Sequence, residues 1–417
     1  MKKLTSIVLV LSLVMCLFAG CSSTKPAETT AAAAPAGTET AAAAETLKSN
    51  EPIVIGLLDA FSGDRAMNGE YTREGAEMFL EDINAAGGVL GRPVTIVYED
   101  DQGAEASATN AYQKLVSEND VCATVLNKYS SVVLAMEPFV ADEEIPAICS
   151  GSSVKLEAST NEWLLSTRRS DTGSGVSIAL HCKSVGATKV AILHSPDALG
   201  TGITPVIEQT LADNGIEVVS VQQFTNDEKN FAPYMAKIKD SGCDMLVAIA
   251  QTNEAALIMK TVKDAGLGIP CIGNSAFAQS STLSNASNEA SDGWYSVTAF
   301  SYKATVPKTA EWVERYNEKY GRNPDMTSAT TYDALSLICN AIETVGTDDP
   351  AAINEQLHKL DGFEGIASDY AYQGTPRSRT ARPSLSTVFP PNNSVKHFIR
   401  RRCRITRHLL LAKEFPR

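Results

Sequence analysis

Histidine is scarce in this chain, with five in 417 residues. Nine cysteines are present, but no CxxC pair and no Cys/His grouping at metal-ligand spacing occurs. That excludes a zinc site of the usual kind. Cys122, Cys149, Cys182, Cys243, Cys271, Cys339 and Cys403 are scattered, mostly in apolar runs such as VCAT, AICS and PCIG. They read as small buried hydrophobes. An exported chain could oxidise a pair of them, and their spacing does not choose one. Also missing are a GxSxG elbow, a Walker loop, an HExxH helix and an EF-hand loop. The GxG fragments at 173–175 and 200–202 complete no dinucleotide fingerprint. His194, Ser195 and Asp197 lie next to one another, whereas catalytic triads assemble from distant segments. Glu99, Asp100 and Asp101 directly follow an apolar run and read as a solvated or capping turn. No metal, no cofactor and no catalytic activity is expected.

Positive charge is short as well. The formal net charge is −13, and it is unevenly spread. Residues 1–373 carry 25 Lys/Arg against 48 acids, and residues 374–417 carry eleven Lys/Arg against one acid, Glu414. The body therefore lacks the basic footprint of a nucleic-acid binder, and no such partner is expected.

At the N-terminus, Lys2 and Lys3 precede an apolar stretch, 4–18, too short for a membrane span. Ala19 and Gly20 then precede Cys21. Small residues before a cysteine resemble a bacterial lipoprotein signal, which implies a signal peptide over 1–20 and a lipid on Cys21. Phe18 departs from the leucine usual three residues upstream, and an ordinary secretory signal is the alternative. Residues 21–50 form an Ala/Thr/Glu-rich tether with too little apolar bulk to bury.

From Glu51 onward the chain is long enough for two domains with real cores. Apolar runs alternate with helical periods: strands at 53–58, 94–98 and 121–126, helices at 72–85 and 104–117. Next comes VLNKYSSVVLAMEPFVADEEIPAICSGSS, 125–153. It reads as a strand, a polar turn at 127–131, a helix over 132–143, and a strand at 145–149 ending in a Ser-rich turn at 150–153. Both turns can share the carboxyl edge of a parallel sheet, where open α/β sheets bind ligands. Ser130 and Ser131 would offer hydroxyls and free N–H groups at a helix N-terminus, an anion site. The alternative is a plain N-cap at Ser130 and a solvated turn.

Helices at 174–185, 202–213, 231–240 and 254–265 alternate with strands at 189–194, 217–224, 245–250 and 269–273. An extended segment at 297–301 precedes helices at 308–320, 327–345 and about 350–360. The result is an α/β fold of two parallel-sheet lobes with a ligand cleft between them.

LLDAFSGDRAMNGEYTREGAEMFLEDINAAGGVLGRPVTIVYEDDQG resembles the N-terminal lobe of the branched-chain amino acid-type (leucine/isoleucine/valine-binding) solute-binding proteins of ABC transporters. STRRSD at 166–171, DALGTG at 197–202, NDEKNFAPYMAKIKDSGCD, KDAGLGIPCIG and TTYDAL extend the likeness to about residue 370. It implies the type I periplasmic binding protein architecture, two doubly wound parallel-sheet lobes joined by three hinge crossings near 167–171, 296–301 and 366–372. Lobe 1 would comprise 51–168 and 299–365, and lobe 2 would comprise 169–298 and 366–373.

By the same resemblance, the ligand binders are Ser130, Ser131, Gly151 and Ser153, with Asn68 where an aromatic often lines the site. In lobe 2 they are Leu199, Gln251 and Ser275, beside Asn274. Here the sequence departs from the pattern. A tyrosine is usual at Leu199, an aromatic frequent at Gln251, and an acid typical at or near Ser275. Asn274 and Ser275 supply no charge, so the ammonium of an amino acid ligand has no partner. The expected ligand has an acyl or carboxylate group and a changed amine end: an amino acid held by neutral acceptors, an amide or a short peptide. The resemblance implies a monomeric receptor, held to the membrane through Cys21, that hands its solute to an ABC permease. The alternative role is a ligand-sensing module for a chemoreceptor or sensor kinase.

After Tyr372 the pattern stops. Residues 374–417 show no strand or helix period, and four prolines precede Asn392. Either a basic arm binds anionic lipid or wall polymer, or a foreign reading frame begins near Gln373. The abrupt loss of composition and pattern favours the second. A real tail of this kind would leave lobe 2 with an exposed sheet edge.

Overall fold

The computed structural model describes residues 51–372 and the backbone of residues 388 and 389. The signal, Cys21 and the tether lie outside the described residues. Seven elements alternate first: β1 (Ile53–Asp59), α1 (Ala66–Ala85), β2 (Val94–Asp100), α2 (Glu105–Glu118), β3 (Ala123–Leu126), α3 (Ser130–Glu143) and β4 (Ala147–Cys149). A short α4 (Val154–Glu157) and β5 (Leu164–Ser166) complete a parallel sheet of order β2-β1-β3-β4-β5.

The chain then runs through α5 (Asp171–Ser184), β6 (Lys189–His194), α6 (Ala198–Asp213), β7 (Glu217–Gln223), α7 (Ala232–Asp240), β8 (Met245–Ile249), α8 (Thr252–Asp264) and β9 (Cys271–Gly273). Two short helices, α9 (Ser280–Ala286) and α10 (Asn288–Ser291), precede β10 (Trp294–Val297). This second sheet has parallel order β7-β6-β8-β9-β10. Then come α11 (Pro307–Tyr320), α12 (Met326–Val345) and α13 (Pro350–His358), a hairpin of β11 (Phe363–Glu364) and β12 (Asp369–Tyr370), and finally β13 (Val388–Phe389).

Side-chain alternation explains why these strands are apolar throughout. In β1, Ile53, Ile55 and Leu57 enter one core with Ala334, Leu335 and Ile338 of α12, while Leu58 enters another with Tyr112 and Leu115 of α2. In β6, Ala191 and Leu193 face α8, and Val190 and Ile192 face α5 and α6. The strong stop and start of α12 are local chemistry. Asp325 accepts from the Thr327 and Ser328 amides in a capping box, and Gly346 closes the helix in the left-handed region.

Three expectations need correction. The helix after β3 begins at Ser130 rather than Val132, because Asn127 Oδ1 takes the Tyr129 amide at 2.8 Å and turns the chain early. Residues 366–372, expected to cross into lobe 2, are anchored on the first lobe. Asp333 accepts from the Ile366 and Ala367 amides at 2.6 and 2.8 Å and from the Tyr370 hydroxyl at 2.8 Å, and Tyr370 joins the β1–α12 core. The tail, expected to add no strand, supplies β13, which pairs antiparallel with β10 at Ser296–Phe389 and Val297–Val388. A two-residue strand is too short to leave a period in the sequence.

Candidate functional site

Each sheet has a switch point where strand order reverses: between β1 and β3 in the first lobe, and between β6 and β8 in the second. Ligands bind outside the carboxyl ends of strands at such points. The residues just past them are Asn127, Lys128 and Tyr129 on one side, and Ser195, Asp197, Ala250 and Gln251 on the other. Between them lies a small cavity of about 20 Å³, lined by Lys128, Ser130, Ser152, Arg168, Leu199, Gln251, Asn274, Ser275, Ala276, Gln279 and Met326. Ser130, Leu199, Gln251, Asn274 and Ser275 were expected here, and the structure brings them together. Gly151 and Ser153 line an adjoining cavity that shares Ser152 and Arg168. Ser131 lines the wider cleft outside.

The expected anion clamp has a different internal wiring. Ser130 Oγ accepts from the backbone amides of Ser152 and Ser153 at 3.2 and 3.1 Å. The α3 hydroxyl and the 150–153 turn thus bind each other, so those two amides are already engaged. Ser153 caps α4 by accepting from the Leu156 amide. The N-cap of α3 is Tyr129, so Ser130 is the first helical residue and not a plain cap.

On the second lobe, Asn274 is pinned to β8's end, giving and taking hydrogen bonds with the Ala250 backbone at 3.1 and 3.2 Å. Gln251 Nε2 donates to Asp197 Oδ2 at 2.7 Å. Asp197 Oδ1 also accepts from Ser195 Oγ and the Gly200 amide, while the His194 ring meets the Ser195 carbonyl at 2.9 Å. The adjacent trio therefore makes no His–Ser relay.

Two cations at the site were missed from sequence. Lys128 is 8% exposed. Its Nζ donates to Asn68 Oδ1 at 2.7 Å, Gln279 Oε1 at 2.9 Å and Thr252 Oγ1 at 3.1 Å. Asn68 in turn donates to the Tyr129 hydroxyl at 2.6 Å, so both ends of its amide are engaged. Burial pulls the Lys128 ammonium down to about 8, against the fields of Asp325 and Asp59. Arg168, on the crossing from β5 to α5, donates to the Ser150 carbonyl and to Ser275 Oγ, both at 3.2 Å. Its buried Nε has no partner. The signal for Lys128 was a lone charge at the end of the apolar strand VCATVL. For Arg168 it was a cation inside a hinge motif that had been given only a hinge role.

The acidic turn caps rather than reacts. Asp100 Oδ1 accepts from the Phe61, Ser62 and Gln102 amides, Asp101 from the Gly103 amide, and Glu99 pairs with Lys114. No disulfide joins the six cysteines among the described residues, and five of them are buried. Among the described residues, no helix is long and apolar enough to cross a membrane.

Two parallel α/β lobes whose switch points meet across one polar cavity define a two-lobed solute-binding protein. The chain belongs to the periplasmic binding protein family, whose profile matches residues 52–385. That match runs into the segment suspected of a foreign frame. The chain is 26% identical over 309 residues to the Leu/Ile/Val-binding protein of Escherichia coli K12, covering 74% of this chain and 83% of that protein. It is 24% identical to Leu/Ile/Val-binding protein homolog 2 of Brucella abortus, covering 80% and 88%.

Among solved structures, it resembles the branched-chain amino acid transporter substrate-binding protein of Streptococcus pneumoniae, which holds isoleucine. The TM-score is 0.74 at 24% identity, covering 78% of this chain and 93% of the other. It also resembles an ABC transporter solute-binding protein of R. palustris that holds benzoate, with TM-score 0.72 at 20% identity, covering 78% and 89%. These likenesses carry the expected type I periplasmic binding protein fold.

Proposed function

We propose that this protein is the extracytoplasmic receptor of an ABC importer, taking a small carboxylate-bearing solute into the cavity between its lobes. The observation that carries this reading is the cavity itself, walled by both lobes and the first hinge crossing around Ser130, Arg168, Gln251 and Ser275. Relatives with this fold hold isoleucine or benzoate, and both ligands bear a carboxylate. Chemistry is not required of such a site, only closure around a ligand that touches both lobes.

The chain is processed after residue 20, lipidated at Cys21, and tethered to the membrane outer face by 21–50. It works as a monomer that docks on permease subunits. Lobe 1 comprises 51–168 and 299–372, and lobe 2 comprises 169–298, completed at its edge by β13. Mass spectrometry of small molecules released from the purified chain tests the reading, with X-ray scattering before and after stripping. A released organic acid whose return shrinks the radius of gyration is expected. A chain that carries no small molecule, and whose scattering no solute alters, would rule out the receptor role.

A further inference from the structure

The charge on the cavity wall is one-sided. Of its lining residues, Lys128 and Arg168 are cationic, and none is an acid. The carboxylates nearest these cations are not part of the lining, and each is held by the protein through at least one oxygen. Asp325 caps α12. Asp59 accepts from the Ala60 amide at 2.7 Å and Thr72 Oγ1 at 2.5 Å. Asp171 accepts from Ser152 Oγ at 3.0 Å. Asp197 is taken up by Ser195, Gly200 and Gln251.

Three neutral acceptors around the Lys128 ammonium are in use too. Asn68, Thr252 and Gln279 all receive the protein's own ammonium, that of Lys128. Within the lining, what stands open are donors: the buried, unpartnered Nε of Arg168 and the Ser130 hydroxyl, whose oxygen accepts two amides. Outside the lining, Asp171 Oδ2 and Asp325 Oδ2 are buried without a partner.

Resting on the receptor reading above, we propose that the ligand is an organic acid with a carboxylate and no ammonium group: a 2-oxo, 2-hydroxy, aryl or alkyl carboxylic acid. Its carboxylate takes the free donors of Arg168 and Ser130. Lys128 stands where a ligand amine would, already bonded to both lobes. An α-ammonium placed here would meet two cations and no carboxylate in the lining, and like charges in a desolvated site repel strongly.

Calorimetry on the full chain with matched pairs tests this. The pairs are leucine against 4-methyl-2-oxopentanoate, phenylalanine against phenylpyruvate, and glutamate against 2-oxoglutarate, with benzoate added. In the pair that fits the cavity, the amine-free acid should bind at least about a hundredfold more tightly, on the scale of like-charge rejection. Ser275→Asp, which puts a carboxylate beside Arg168, should erase that preference while melting stays cooperative. Lys128→Met should narrow it.

Equal or tighter binding of the amino member would overturn the proposal. So would loss of amino acid binding in Asp171→Asn, which would make Asp171 the amine's partner. Closure around a neutral solute alone would also overturn it, yet leave the receptor reading standing. Absence of any ligand-dependent closure would remove both.

Discussion

Lys128 of the first lobe donates a hydrogen bond to Gln279 of the second at 2.9 Å, and to Thr252 at 3.1 Å. A buried ammonium thus ties the two lobes through neutral acceptors. Replacing such a charge with an apolar side chain of similar length need not destabilise a fold. Lys128→Met is expected to change unfolding free energy by no more than about 2 kcal/mol. It should also populate the open form, seen as a larger radius of gyration in X-ray scattering.

Raising pH should loosen the same tie above about 8, where the buried ammonium gives up its proton. The linkage has the opposite sign for folding. The unfolded chain holds that proton up to its ordinary value near 10.5, so this group makes global stability rise between about pH 8 and 10.5. Scattering and denaturant titrations across that range should diverge accordingly.

Ser130→Ala removes the oxygen that takes the Ser152 and Ser153 amides. Leaving two buried N–H groups without an acceptor costs about 1–3 kcal/mol each at most. The expected outcome is a drop of about 2 kcal/mol in urea stability together with weakened ligand binding. Ser131→Ala, facing the open cleft, should leave stability unchanged. Identical urea curves for Ser130→Ala and the wild type would contradict the assigned wiring.

Gly75 sets the distance between α1 and α12. A Cβ there would lie 2.2 Å from the Ser328 carbonyl oxygen and 2.9 Å from its carbon, with backbone as the obstacle. Gly75→Ala should therefore destabilise by about 1–3 kcal/mol through overpacking, despite alanine's better helix propensity. Thermal melting measures it.

The alternation of strands and helices was legible because β6 and β8 are unbroken apolar runs and the helices between them keep a 3.6 period. The short polar helices α9 and α10 have no such period and passed unread. At the site, residues past the strand ends of both lobes gather around one cavity, because sheet topology decides where those ends meet. Their bonding was not legible. The partners of Lys128 at Thr252 and Gln279 are 124 and 151 residues away in sequence, and no local pattern ties them together. Asn274 read as a ligand contact, but its amide is spent on the Ala250 backbone.

Asp171 opens α5 behind the cavity. Its Oδ1 accepts from Ser152 Oγ at 3.0 Å, and its Oδ2 is buried without a partner. Burial raises its carboxyl to about 7, outweighing the opposing pull of Arg168. With the folded value above the ordinary 3.8, the native state holds an extra proton between about pH 4 and 7. Its contribution is complete below about pH 4 and lost as pH rises through 7. Asp171→Asn keeps the shape and cannot titrate, so the stability difference between variant and wild type should grow in the variant's favour from pH 5 to pH 8. The expected gain is on the order of 2 kcal/mol. Buried Asp59, Asp101, Asp325 and Asp333 are raised as well and bend both curves together, so the difference is the quantity to measure. Urea midpoints of variant and wild type that stay parallel over this range would mean that Asp171 is ionised throughout, with the Arg168 field stronger than the burial that opposes it.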